Sequence, residues 1–103
     1  MIARLWFGEA ALADRESYAG YLERTGWRDL NAARGNKGVF LLRRDLPDRA
    51  EFGVLSLWDS IDSVKGFAGS DPERAVYYPD DARYLLAPPQ TLGHYEVLAH
   101  PLG

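Results

Sequence analysis

Apolar positions along the chain switch between the period of a strand and the period of a helix. Ile2–Phe7 is short, apolar and aromatic and reads as a strand that Gly8 ends. Residues 14–26 read as a helix. Asp14 can cap it by accepting orphan backbone N–H bonds, and Gly26 suits the left-handed position past its end. Tyr18, Tyr21, Leu22 and Thr25 then share one buried face that carries two phenols, while Arg15, Glu16, Glu23 and Arg24 take the wetter surface. Gly35-Asn36-Lys37-Gly38 is a turn sequence, followed by a strand over Val39–Arg44. Leu46-Pro47-Asp48-Arg49 suits a hairpin connection, and Glu51–Trp58 is the return strand. Phe52, Val54, Ser56 and Trp58 lie on one face of that strand, and Gly53, Leu55 and Leu57 on the other. Both faces are mostly apolar, which predicts that both are covered.

A second helix is predicted over 60–68, capped by Asp59 or Ser60 and ended by Gly69, with Ile61, Val64, Phe67 and Ala68 as its apolar stripe. Asp71-Pro72-Glu73 has the form of a cap with proline at the first helical position, and Tyr77-Tyr78-Pro79-Asp80-Asp81 interrupts any continuous helix. Pro88-Pro89 precedes a last strand over Leu92–Leu98. The order strand, helix, strand, strand, helix, strand predicts one α+β domain over 1–103. It is a ferredoxin-like split βαβ with a four-stranded antiparallel sheet. Two helices cover one face of such a sheet. A second copy of the chain is the natural cover for the other, so a homodimer is expected.

Composition narrows the function classes. The 103 residues are 47% hydrophobic, 13% aromatic and 26% charged, a folded profile that excludes disorder, coiled coil and collagen. Net charge is −3, and the densest basic cluster, Arg43-Arg44, is countered by Asp45, Asp48 and Glu51, so nucleic acid is not an expected partner. The absence of cysteine excludes disulfides, thiolate metal sites and thiol nucleophiles. No apolar run approaches the roughly 20 residues that span a bilayer, so no membrane association is expected. Arg4 and Gly8-Glu9 break the layout of a signal peptide, so the chain is expected to be cytoplasmic and complete.

Several side chains could carry chemistry, each with a structural alternative. Trp58, at a strand end just before a helix, could wall a pocket with its ring and one N–H donor, or could be a core aromatic bonded to its surroundings. His94 could be a general acid or base, or a strand histidine bonded to a carbonyl. With His100 it makes a weak metal signal, and no metal is expected. Tyr77, Tyr78 and Arg83 could fold over a pocket mouth and hold an oxyanion, or pack as an ordinary loop. Tyr18 and Tyr21 either bond across the core or point into a cavity. Asp80-Asp81 reads as solvated caps. Arg4, odd within an apolar strand, either snorkels to the sheet edge or pairs with a carboxylate across the dimer. No Walker loop, dinucleotide fingerprint, serine elbow or His-Glu-x-x-His helix is present.

The run from Val54 to Gly69, with its strand ending in Trp58 and its helix carrying Phe67, resembles the antibiotic biosynthesis monooxygenase-like superfamily. The Gly35–Val39 turn, the Tyr77–Asp81 segment and the closing His94-Tyr95-Glu96-Val97 extend the resemblance over nearly the whole chain. It implies a dimeric α/β barrel and catalysis without bound flavin or metal. The activity it implies is oxidation of aromatic anthrones to quinones by molecular oxygen, which takes an electron from a substrate anion in a dry aromatic pocket. Trp58 matches the pocket tryptophan of those enzymes. Their pocket asparagine has no counterpart, because Val54 stands four positions before Trp58. Trp58, His94, Tyr78 and Arg83 are the catalytic candidates, and Tyr18, Tyr21 and Phe67 the substrate-pocket candidates. A haem-degrading branch uses an asparagine in the first strand and a histidine on the second helix, and both are missing here. The leading expectation is a cofactor-independent monooxygenase for a small aromatic or phenolic substrate. The alternatives are a non-catalytic module for a small apolar ligand, a haem-binding relative, or an isomerase, lyase or structural role.

Overall fold

A computed structural model of the protein describes residues 1–101. Strand β1 (Ile2–Ala10) is followed by a short 3₁₀ turn and helix α1 (Arg15–Leu22). A widened π turn over Glu23–Trp27 carries the helix on into α2 (Arg28–Ala32). The predicted stop at Gly26 is therefore corrected. Gly26 is not left-handed, and the helix runs six residues further. The cause lies beyond the glycine: Leu30 is buried against Trp58 and Val64, and this packing outweighs the weak helix propensity of Gly26.

Gly35, at φ 85°, makes the turn into β2 (Asn36–Asp45), and its carbonyl accepts from the Asp59 amide at 3.0 Å. A hairpin leads to β3 (Ala50–Trp58). Helix α3 (Ile61–Ala68) begins at Ser60, whose hydroxyl accepts from the Ser63 amide at 3.2 Å. Asp71-Pro72-Glu73 does not start a helix, contrary to expectation. The Asp71 carboxylate accepts the Glu73 amide, and the segment pairs with residues 90–92 through Ala75 N–Gln90 O and Leu92 N–Glu73 O. A one-turn helix α4 (Asp81–Tyr84), a two-residue strand β4 (Leu85–Leu86) and β5 (Gly93–Glu96) complete the chain.

The sheet is antiparallel, with order β2-β3-β1, and β1 offers its outer edge to two partners. β5 pairs with Ile2–Leu5, and β4 pairs with Glu9 and Ala10. The four-strand expectation is thus met by β1, β2, β3 and β5, with the short β4 as a fifth strand. Burial of Leu85 fixes β4 on the sheet.

Alternation assigns the two faces. Arg4, Trp6, Phe52, Ser56 and Trp58 point towards the helices, as do Val39 and Leu41. Leu5, Phe7, Phe40, Leu42, Leu55 and Tyr95 point the other way, and no helix covers them. Phe7 and Phe40 are each 50% exposed and Tyr95 57%. Under the helices the core is split. One cluster gathers Tyr18, Tyr21, Leu22, Phe52 and Leu85, and the other gathers Leu30, Trp58 and Val64.

Candidate functional site

A cavity of about 60 Å³ lies at the seam between the two clusters. It counts about 540 Å³ of unfilled space when its open mouth is included. Tyr18, Leu22 and Tyr78 wall it from one cluster, and Leu30, Val54 and Phe67 from the other. Trp6 adds an indole, whose N–H donates to the Tyr77 hydroxyl at 3.1 Å. That ring lies across Gly8, where a Cβ would collide with it. Tyr77 in turn donates to the carbonyl of Pro89, which ties the loop at the mouth to the domain.

Among the described residues, three polar or charged side chains are buried: Arg4, Ser56 and Asp81. All three line this cavity. Asp81 sits in the first turn of α4, 5% exposed. The Tyr18 hydroxyl donates to its Oδ1 at 3.0 Å and the Tyr78 amide to its Oδ2 at 2.6 Å. The reading of Asp80-Asp81 as solvated caps is therefore corrected for Asp81, which faces inward because two buried donors converge on it. Burial, with the Asp81 charge adding to it, raises the Tyr18 phenol well above its ordinary value. Burial also raises Tyr78, whose hydroxyl donates to Asp29 at 2.6 Å.

Arg4 does not snorkel to the sheet edge: it faces the helices and is 5% exposed. Its Nη1 donates to the Pro72 carbonyl and, at 3.0 Å, to His94 Nε2 across the β1–β5 pair. Its Nη2 donates to the Arg74 carbonyl at 3.3 Å. Desolvation pulls its pKa down to about 10, which leaves it charged at neutral pH. His94 is held below its ordinary value, first by burial and then by the Arg4 charge. A neutral imidazole that accepts at Nε2 carries its proton on Nδ1, which is buried with no partner.

The structure brings Tyr18, Phe67 and Tyr78 of the predicted set to the cavity. Trp58, His94, Tyr21 and Arg83 are not among its lining residues. Trp58 is fully buried; its indole donates to Ser56 Oγ at 2.9 Å, and its ring lies 6.0 Å from that of Phe67. His94 stands behind Arg4. The Tyr21 hydroxyl accepts the Asp80 amide. The Arg83 side chain is 72% exposed beside Asp80, on the solvent side of α4. Arg4 and Asp81 are the functional candidates that sequence reasoning missed. A charge in an apolar strand is the signal for Arg4. Asp81 gives none, because its partners lie 63 residues away at Tyr18 and in a loop with no regular period.

No protein-family model matches the sequence, and no curated protein matches it. The ferredoxin-like α+β fold nevertheless has a counterpart among solved structures. A solved structure of a Bacillus cereus protein, provisionally named an antibiotic biosynthesis monooxygenase, superimposes over 99% of this chain and 94% of its own. The TM-score is 0.55 at 13% identity, a likeness of fold. No helix among the described residues is long and apolar enough to cross a membrane.

Proposed function

We propose that the cavity binds a small aromatic or phenolic molecule and promotes its oxidation by molecular oxygen without a cofactor. One observation carries this reading: the three buried polar or charged side chains among the described residues, Arg4, Ser56 and Asp81, line a single, mostly apolar hollow. Stability alone gives no reason to gather such groups there, since each costs free energy to desolvate. The aromatic walls suit a flat ring. Asp81 uses one lone pair on each oxygen for Tyr18 and Tyr78, so its carboxylate retains sites that can accept a substrate proton.

In this reading a phenolic ring with an activated CH₂ loses a proton to Asp81. The carbanion passes one electron to oxygen, the resulting radical pair combines into a peroxide anion, and this takes the proton back from Asp81 to give a hydroperoxide. Loss of water leaves a carbonyl. One O₂ is consumed per CH₂ converted to C=O; one oxygen atom enters the product and the other leaves as water. The substrate itself supplies all the electrons. Phe67 and Tyr78 contact the ring, Tyr18 holds Asp81, and Trp58 supports Phe67 from behind. His94 acts through Arg4, and Arg83 takes no part. Oxygen uptake with anthrone as substrate tests the scheme. Uptake above the buffer rate, matched one to one by carbonyl product and lost in Asp81→Asn, is expected. Equal turnover without oxygen refutes the chemistry, and binding without uptake identifies a ligand-binding module instead.

We also infer that a second copy covers the open sheet face. Its apolar positions run across all four long strands, and the Arg44–Glu51 ion pair lies at its rim. A two-fold contact places such a face on itself.

A further inference from the structure

We propose that Arg4 is an anion-binding residue of the cavity, and that the molecule bound there is a hydroxylated aromatic acid. In this arrangement the ligand's carboxylate sits on the Arg4 guanidinium, and its proton-bearing edge, a phenolic hydroxyl or the activated CH₂, faces Asp81. The inference rests on the reading of the cavity as a small-molecule site and names the class of molecule it takes.

Three observations lead to it. First, Arg4 is a buried cation with no counter-ion: among the described residues it enters no ion pair within 4.0 Å. Its protein partners are two carbonyls and an imidazole. A buried charge left in this state is costly, and an incoming carboxylate relieves that cost. A second copy on the open face cannot supply the missing charge, because Arg4 points to the opposite side. Second, the three contacts use both Nη1 hydrogens and one on Nη2. Among the described residues the Nε–H and the second Nη2–H have no acceptor. Nε and Nη2 share one edge of the planar fork, the pair of positions that takes a carboxylate bidentately. Third, the cavity has an opposite pole. Asp81 would repel a plain anion nearby, but it accepts a proton-bearing group such as a phenol. A ring carrying both groups satisfies both poles, and the apolar wall between them takes the ring.

His94 has a part in this arrangement. As a neutral acceptor at Nε2 it orients Nη1, which together with the Pro72 carbonyl holds the guanidinium plane. It is a positioning residue and does not itself meet the ligand.

The test compares 4-hydroxybenzoate with its neutral isostere 4-hydroxybenzamide by NMR titration of the wild-type protein and of Arg4→Met. Expected is binding of the acid at least about tenfold tighter than the amide, with the ratio falling towards one in Arg4→Met. A second readout needs no variant: the Arg4 Nε–H resonance of the wild-type protein shifts with the acid and not with the amide. Equal affinities and an unmoved Nε–H overturn the role of Arg4 while leaving the cavity reading intact. Failure of both compounds to shift any cavity residue at about 10 mM overturns the cavity reading and this inference together.

Discussion

Replacing Tyr18 by phenylalanine isolates one hydrogen bond. The ring of Tyr18 is fully buried, 5.0 Å from Phe52 and 5.1 Å from Tyr84 between centroids, and a phenyl ring preserves those contacts. Only the hydroxyl is lost, and with it the 3.0 Å bond to Asp81 Oδ1. A bond to a charged, buried acceptor is worth about 1.5–3 kcal/mol, and its loss leaves a carboxylate oxygen unpaired. We expect a loss of about 2 kcal/mol, which for a domain of this size lowers Tm by roughly 8–16 °C. Asp81→Ala strands two donors, the Tyr18 hydroxyl and the Tyr78 amide, and should cost about 2–5 kcal/mol. In the Tyr18→Phe background one of those donors no longer exists. The double variant should therefore be no less stable than Asp81→Ala, with a coupling of about 2 kcal/mol or more. Urea denaturation of the four proteins measures the cycle, provided each unfolds in one step. A Tyr18→Phe effect below about 0.5 kcal/mol, or simple additivity in the double variant, would refute the claim that Asp81 is held as a buried carboxylate.

His94 makes stability depend on pH. Its folded pKa lies below the ordinary 6.5, so the unfolded chain takes the proton first; stability is full above that value and declines as pH falls through it. Denaturation between about pH 7 and 5 should show this slope in the wild-type protein and a flatter one in His94→Gln. Light scattering should return twice the 11.6 kDa chain mass, and Leu42→Glu, which puts a charge on the open face, should return a single chain. Gly35→Ala should cost about 1–3 kcal/mol in a thermal melt, since the backbone there is at φ 85° and the new Cβ would fall against Ser63 and 2.8 Å from Asp59 Oδ1. A melt equal to wild type would mean that this turn relaxes freely.

The parts of the fold set by local periodicity are legible in the sequence. The β2–β3 hairpin, the Ser60 cap and the α3 stripe all depend on residues within a few positions of one another, so a linear pattern contains them. The end of the first helix is not. Gly26 reads as a stop because glycine is costly in a helix, and only Leu30 meeting Trp58 and Val64, some thirty residues on, shows what offsets that cost. The segment from Asp71 to Gln90 is opaque for a similar reason. Its backbone bonds run between Glu73 or Ala75 and residues 90–92, a pairing without any run of alternating side chains to announce it.

The site divides along the same line. The linear pattern points to aromatic side chains as the carriers of function, with Trp58 at their centre, but an indole in one dimension looks the same whether it walls a hollow or seals a core. Its N–H on Ser56 and its full burial give it the second geometry. Charges are more informative than rings, because a buried charge needs a reason that a buried ring does not. Arg4 in an apolar strand already poses that question in the sequence, and the structure sharpens it: carbonyls and a neutral imidazole meet the guanidinium where a carboxylate is wanted. The split core supplies the place for one. Two clusters that fail to close on each other leave a seam, and the chain puts Arg4, Ser56 and Asp81 there, where a desolvated charge is best placed to bind or move a proton.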